Sequence, residues 1–95
     1  DLGAGSGAWA IAMARQFPEA DVLGLDLVPV NPGSEPPSNC RFEVCDANVD
    51  LPSYPAESFN VVHVRAVLQG IKDYRELFYQ VSRMLRPGGV FVIVE

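Results

Sequence analysis

The sequence predicts an α/β domain, a mostly parallel sheet flanked by helices, and three features carry that prediction. Short Val- and Leu-rich runs alternate with helical runs, the order that builds parallel strands joined by right-handed crossovers. In "NVVHV" and "VFVIV" the β-branched residues bunch rather than alternate, as in strands covered on both faces. The chain opens on "DLGAGSG", an acid followed by glycines at 3, 5 and 7, directly before a helix-forming run. Ninety-five residues allow one small domain at most.

Residues 8–17, "AWAIAMARQF", are alanine-rich without glycine or proline and favour helix until Pro18 stops it. Residues 20–27, "ADVLGLDL", read as a buried strand closing on a carboxylate. Pro29, Pro32, Gly33, Pro36 and Pro37 then force a loop. "CRFEVCDA" sets Phe42 and Val44 against Arg41 and Glu43, the period of a half-buried strand. After a second loop through Pro52 and Pro55, residues 59–64 form the next strand. Tyr74, Leu77, Phe78, Val81 and Leu85 recur as the core face of a helix, and Asp73 with Glu76 is a capping signature. Arg83 and Arg86 fall in its last turn, and Pro87-Gly88-Gly89 ends it. Residues 90–95, "VFVIVE", are then a final buried strand.

Composition narrows the function. With 48% hydrophobic and 20% charged residues the chain is globular. A net charge of -5 without a basic cluster argues against nucleic-acid binding. No apolar run approaches the ~20 residues of a membrane span, and no basic segment followed by an apolar one marks a secretory signal. Cys40 and Cys45, at odd spacing on a strand, point to opposite faces and read as reduced thiols of a cytoplasmic or nuclear protein. One histidine and no Cys-x-x-Cys leave no metal site.

In a parallel α/β sheet, ligands bind at the carboxyl ends of the strands, and the first strand-to-helix turn is the place to look. Gly3 and Gly5 let a ligand approach the main chain, while Gly7 permits close helix packing. Gly3-x-Gly5-x-x-Ala8 also fits the dinucleotide fingerprint, with Asp26 at the spacing of a ribose-binding acid, so a nicotinamide-dependent oxidoreductase stands as the alternative. Asp1 bears on that choice. A carboxylate beside the turn repels a pyrophosphate and suits an ammonium, and no Arg or Lys precedes Arg15 to offset it. A positively charged nucleoside without phosphates fits better.

With those residues in view, "DLGAGSG" resembles the first motif of class I S-adenosylmethionine-dependent methyltransferases, on a Rossmann-like sheet. "GLDL" is similar to the end of that family's second strand, "CDA" to its third, and "LRPGGVFVIVE" to the turn and fifth strand. The wording from "FPEADVLGLDL" through "SFNVVHVRAVLQGIKDY" resembles more particularly the fungal methyltransferases related to secondary-metabolism regulators. The resemblance implies S-adenosyl-L-methionine as cofactor and a small-molecule methyl acceptor. It implies that Asp1 and the backbone of Gly3, Ala4, Gly5 and Gly7 surround the methionine part. Asp26, with Leu27 beside it, would accept from the ribose hydroxyls, a pairing that suits an acceptor-only carboxylate. Asp46 would take the adenine amine, the Ala47 N–H would face a ring nitrogen, and the main chain near Val64 and Arg65 would line the pocket beside the methyl group.

Each residue also has a plainer reading. Asp26 and Asp46 suit turns that end strands, Arg65 a salt bridge, and Trp9 helix packing. His63 is the one histidine available as a general base, and equally a sheet histidine; the catalytic residues stay unknown. By the resemblance the chain starts at the tip of the first strand and stops at the fifth, so it is expected to be a piece of a longer protein, truncated at both ends and poorly folded alone. A regulatory member without turnover is the third alternative.

Overall fold

The computed structural model describes all 95 residues, as an α/β fold of two compact units. Asp1 and Gly3–Cys45 form one unit; Leu2 and Asp46–Glu95 form the other.

The first unit holds α1 (Ala8–Gln16), β1 (Val22–Asp26) and β2 (Cys40–Val44). β1 and β2 pair in parallel, Val22 opposite Cys40 and Asp26 opposite Val44. The alanine pattern decides how α1 packs: Ala10, Ile11 and Ala14 face Cys40, with Val22 and Phe42 against them, and small side chains keep helix and sheet close. Gly24 makes room for Phe42, since a Cβ there would lie 2.5 Å from the ring. α1 ends as expected at Phe17, whose N–H donates to Met13 O. Beyond it the Asn39 amide donates to three carbonyls, Ala14 O (2.9 Å), Phe17 O (3.2 Å) and Ala20 O (2.9 Å), tying the helix exit to the start of β2. Asp1 lies along β1, its main-chain N donating to Leu23 O at 2.7 Å and its carbonyl accepting from Leu25 N at 2.8 Å. Val44, expected on the buried face of β2, is 60% exposed, because α1 reaches only the Cys40 end of the strand. Both cysteines are buried and neither forms a disulfide.

The second unit holds β3 (Phe59–Arg65), α2 (Tyr74–Met84) and β4 (Leu85–Val94), with short 3-10 turns at Leu51–Ser53 and Leu68–Gly70. β3 and β4 are parallel, and Leu2 bridges Val64 while donating to His63 O at 2.8 Å. Only the centre of β3, Val62 to Val64, is buried; Asn60 and Val61 are exposed. The α2 cap forms as the sequence signals, Asp73 Oδ1 accepting from Glu76 N at 3.1 Å. No helix is long and apolar enough to cross a membrane.

Three expectations need correction here. α2 turns Leu77, Gln80, Val81 and Met84 inward, while Tyr74 and Phe78 are about half exposed. Gln80 stays inside because its amide is satisfied: Nε2 donates to Glu76 Oε1 (2.8 Å) and Oε1 accepts from Arg83 Nε (2.9 Å). Arg86 and Leu85 lie beyond the helix, because the chain enters β4 straight after Met84. Pro87, Gly88 and Gly89 form an irregularity inside that strand: Phe59 is opposite Leu85, but Val61 is opposite Val90. β4 is not buried on both faces either. Phe91 packs edge-on against Phe78 at 5.9 Å, while Val90, Val92, Ile93 and Val94 stay exposed.

Candidate functional site

In the first unit the glycine turn leads from Asp1 into α1, and four of its main-chain donors, at Gly3, Ala4, Gly5 and Gly7, are bonded inside the protein. Gly3 N and Ala4 N both donate to Leu25 O (2.7 and 2.8 Å), and Gly7 N donates to Ala4 O (2.9 Å). Gly5 N donates to Asp26 Oδ2 at 2.8 Å. The carboxylate at the end of β1 therefore holds the turn, while its other oxygen accepts from Val28 N at 3.3 Å. An ionised carboxylate has about four acceptor positions, so Asp26, only partly buried, keeps capacity for further donors.

Two glycines of the turn have distinct reasons. Gly5 is left-handed (φ 58), and no atom lies within 4 Å of where a Cβ would stand, so the backbone here faces open space. Gly7 is left-handed too (φ 84), but a Cβ would meet Phe42 Cζ at 2.8 Å, so close packing excludes a side chain as the sequence suggested. Ala4 is buried beneath the turn, and Leu27, next to Asp26, is 64% exposed and offers an apolar surface.

In the second unit Asp46 and Ala47 follow the end of β2. Asp46 Oδ1 accepts from Asn48 N at 2.9 Å, and Asp46 N donates to Asp50 Oδ2 at 2.8 Å. The turn chemistry noted as the plainer reading of Asp46 is present, and it commits one lone pair of one oxygen. The Val64 side chain is fully buried between partners on neighbouring strands, so only its main chain is in a position to line a site. Just after β3, Ala66 is left-handed (φ 53) with its N–H donating to Val94 O at 2.9 Å, a strained conformation for a residue with a Cβ. His63 is 5% exposed, and burial, followed by nearby positive charge that includes Arg65, holds its pKa below the ordinary 6.5. That burial places it with the sheet core. Trp9 is partly buried on α1.

Two cavities lie in the second unit. One of about 150 Å³ is lined by Ala47, Asn48, Lys72, Asp73 and Glu76. A larger groove of about 650 Å³ runs between Phe78, Arg83, Arg86 and Phe91 and touches none of the residues the sequence proposed. Its guanidiniums are already engaged, Arg83 with Leu51 O (3.0 Å) and Arg86 with Glu57 O (3.1 Å). No three His, Cys, Asp or Glu side chains converge on a metal-binding position.

The structure thus joins Asp26 to the glycine turn in one unit, and in the other sets Asp46 and Ala47 in a tight turn. Sequence reasoning missed Asn48, whose amide bonds residues 22 and 24 positions away; a Asp-x-Asn turn after a strand was the local signal available.

Parallel strands, a glycine turn into the first helix and acids at the end of β1 and after β2 define a Rossmann-like α/β domain. The chain belongs to the methyltransferase domain family, whose model matches residues 1–95. It is 42% identical over its full length to the secondary metabolism regulator laeA of Coprinopsis cinerea, covering 23% of that protein. Over 98% of the chain it is 39% identical to methyltransferase str3 of Strobilurus tenacellus, covering 33% of that protein. It is 33% identical over its full length to the protein-methionine methyltransferase laeA of Emericella nidulans, covering 25% of it. The chain therefore spans 23–33% of the length of these relatives.

Proposed function

We propose that this domain binds S-adenosyl-L-methionine and serves methyl transfer to a small-molecule acceptor. The observation that carries the reading is the spent backbone of the glycine turn. Gly3, Ala4, Gly5 and Gly7 all donate internally, one of them to a carboxylate, so these four groups are not available to a diphosphate and the carboxylate adds a repulsion. A cationic nucleoside needs no such donors. Asp26 fits the ribose diol through its remaining acceptor positions, Leu27 gives an apolar surface beside it, and the open side of Gly5 leaves room for the methionine part near Asp1. Asp46 and Ala47 are proposed to read the adenine edge, and the main chain at Val64 to line the methyl end.

When bound, S-adenosyl-L-methionine supplies an activated methyl group on a positively charged sulfur. The task left to this chain is to orient, exclude water and hold the acceptor in line. The bond from Gly5 N to Asp26 holds the turn through the chain's own contacts, which lowers the ordering cost of binding. The names of the relatives favour a second reading in which the domain serves regulation, and the two buried thiols suit a reducing compartment such as the cytoplasm.

Calorimetric titration of the longest soluble form containing residues 1–95 tests the reading. Binding of S-adenosylhomocysteine without binding of NADH supports it; the reverse rejects it. A methyl-transfer panel of small molecules and a methionine-bearing peptide, the latter prompted by the name of the Emericella nidulans relative, then separates transfer from regulation without turnover.

A further inference from the structure

Residues 66–72, between β3 and α2, are pinned by side chains from several places in the second unit. Tyr74 donates its hydroxyl to Leu68 O at 3.0 Å, and Glu95 Oε1 accepts from Val67 N and Leu68 N at 3.3 and 3.4 Å. Asn48 does more than either. Its Nδ2 donates to Gly70 O at 3.0 Å, its Oδ1 accepts from Lys72 N at 2.9 Å, and its main-chain N donates to Asp46 Oδ1 at 2.9 Å. One side chain ties the turn that carries Asp46 and Ala47 to the turn that leaves β3. Both ends of the amide are used, so its orientation is fixed. Aspartate has no donor for Gly70 O, and alanine has neither group.

Asn48 belongs to no strand or helix and is only partly buried, and its partners Gly70 and Lys72 are exposed. Were the amide lost, water would satisfy both partners, so the stability cost is small. What changes is order: two turns now held together would each sample other conformations, and a ligand would have to pay for ordering them again.

We infer that Asn48 is a positioning residue that holds the adenine-reading turn at Asp46 and Ala47 and the 66–72 turn in one fixed arrangement, so that removing its amide weakens nucleoside binding without unfolding the domain. The inference rests on the proposed S-adenosyl-L-methionine reading and deepens it. Residues 66–72 begin at the strained Ala66, directly after the strand end proposed to line the methyl group, so Asn48 links the two ends of that function.

The test uses the longest soluble form containing residues 1–95, with Asn48→Ala and Asn48→Asp variants. S-adenosylhomocysteine is titrated by calorimetry, and amide hydrogen exchange is followed residue by residue. The expected result is about tenfold weaker binding for Asn48→Ala, the size of one or two lost hydrogen bonds, with Asn48→Asp between it and wild type. Exchange should quicken only at residues 46–50 and 66–72, and the thermal midpoint should move by no more than about 4 °C. If transfer is measurable, KM for the methyl donor rises while kcat holds. The inference is overturned if Asn48→Ala binds within about twofold of wild type, or if exchange quickens throughout β3, β4 and α2, which marks a merely structural role. If the wild-type protein itself does not bind S-adenosylhomocysteine, the proposed function fails and this inference falls with it, an outcome distinct from the variant failing to weaken a ligand that the parent binds.

Discussion

α1 and α2 are of similar length, nine and eleven residues, yet their first turns are built on opposite plans. α2 is closed by its own sequence: Asp73 accepts from Glu76 N, Glu76 puts an acid in the first turn, and Arg83 puts a base in the last. α1 starts from a left-handed Gly7 with no side-chain cap and no acid in its first turn, and the nearest hydroxyl, Ser6 Oγ, is 3.4 Å from Ala8 N. A missing cap costs about 1 kcal/mol. The difference teaches that α2 is optimised as a support, whereas the start of α1 gives up local stability where the glycine turn faces open space. Packing makes good the loss, through the alanine face of α1 and the Phe42 ring under Gly7.

The comparison breaks or sharpens under substitution. The largest effect should come from Leu77→Ala, which empties a fully packed position of α2 (2% exposed) and is expected to cost about 2–5 kcal/mol in denaturant unfolding. Its folded fraction should bind S-adenosylhomocysteine as the parent does. Gly7→Ala combines a left-handed backbone with the contact on Phe42 and should cost about 1–3 kcal/mol. Here ligand affinity should fall as well, because the same residue shapes the turn; unchanged affinity would mean that the start of α1 is not part of the site. The smallest effects come from the caps. Asp73→Ala should cost about 1 kcal/mol, and Ser6→Ala less than about 0.5 kcal/mol. Equal losses would erase the contrast between the two helices.

The same contrast explains what was legible in the sequence. α2 announced its start through Asp73 and Glu76, and α1 its stop through Pro18, because caps and breakers act locally. The parallel sense of the strand pairs followed from alternation of helical and β-branched runs. What failed depended on neighbours far along the chain. Tyr74 and Phe78 fit an apolar stripe, but Gln80 and Met84 are the residues turned inward, and a polar Gln80 is tolerated there only because Glu76 and Arg83 satisfy it. Pro87-Gly88-Gly89 reads as a break, yet the sheet carries it as an irregularity since Leu85 already pairs with Phe59. At the site, the glycines and the two acids were visible as types, whereas the bond from Gly5 N to Asp26 and the amide of Asn48 were not, being contacts across 21 or more positions. Gly24 was readable in principle, since a glycine inside a strand signals close approach, but its partner Phe42 was not.

The Asn39 amide, giving its two hydrogens to three main-chain oxygens at the exit of α1, makes that exit sensitive to one slow reaction. Hydrolytic loss of ammonia from that side chain would turn the donor into a carboxylate, an acceptor-only group aimed at carbonyls that can only repel it. A sample deamidated at Asn39, as confirmed by mass spectrometry, should then show faster amide exchange between α1 and β2 while the glycine turn keeps its protection.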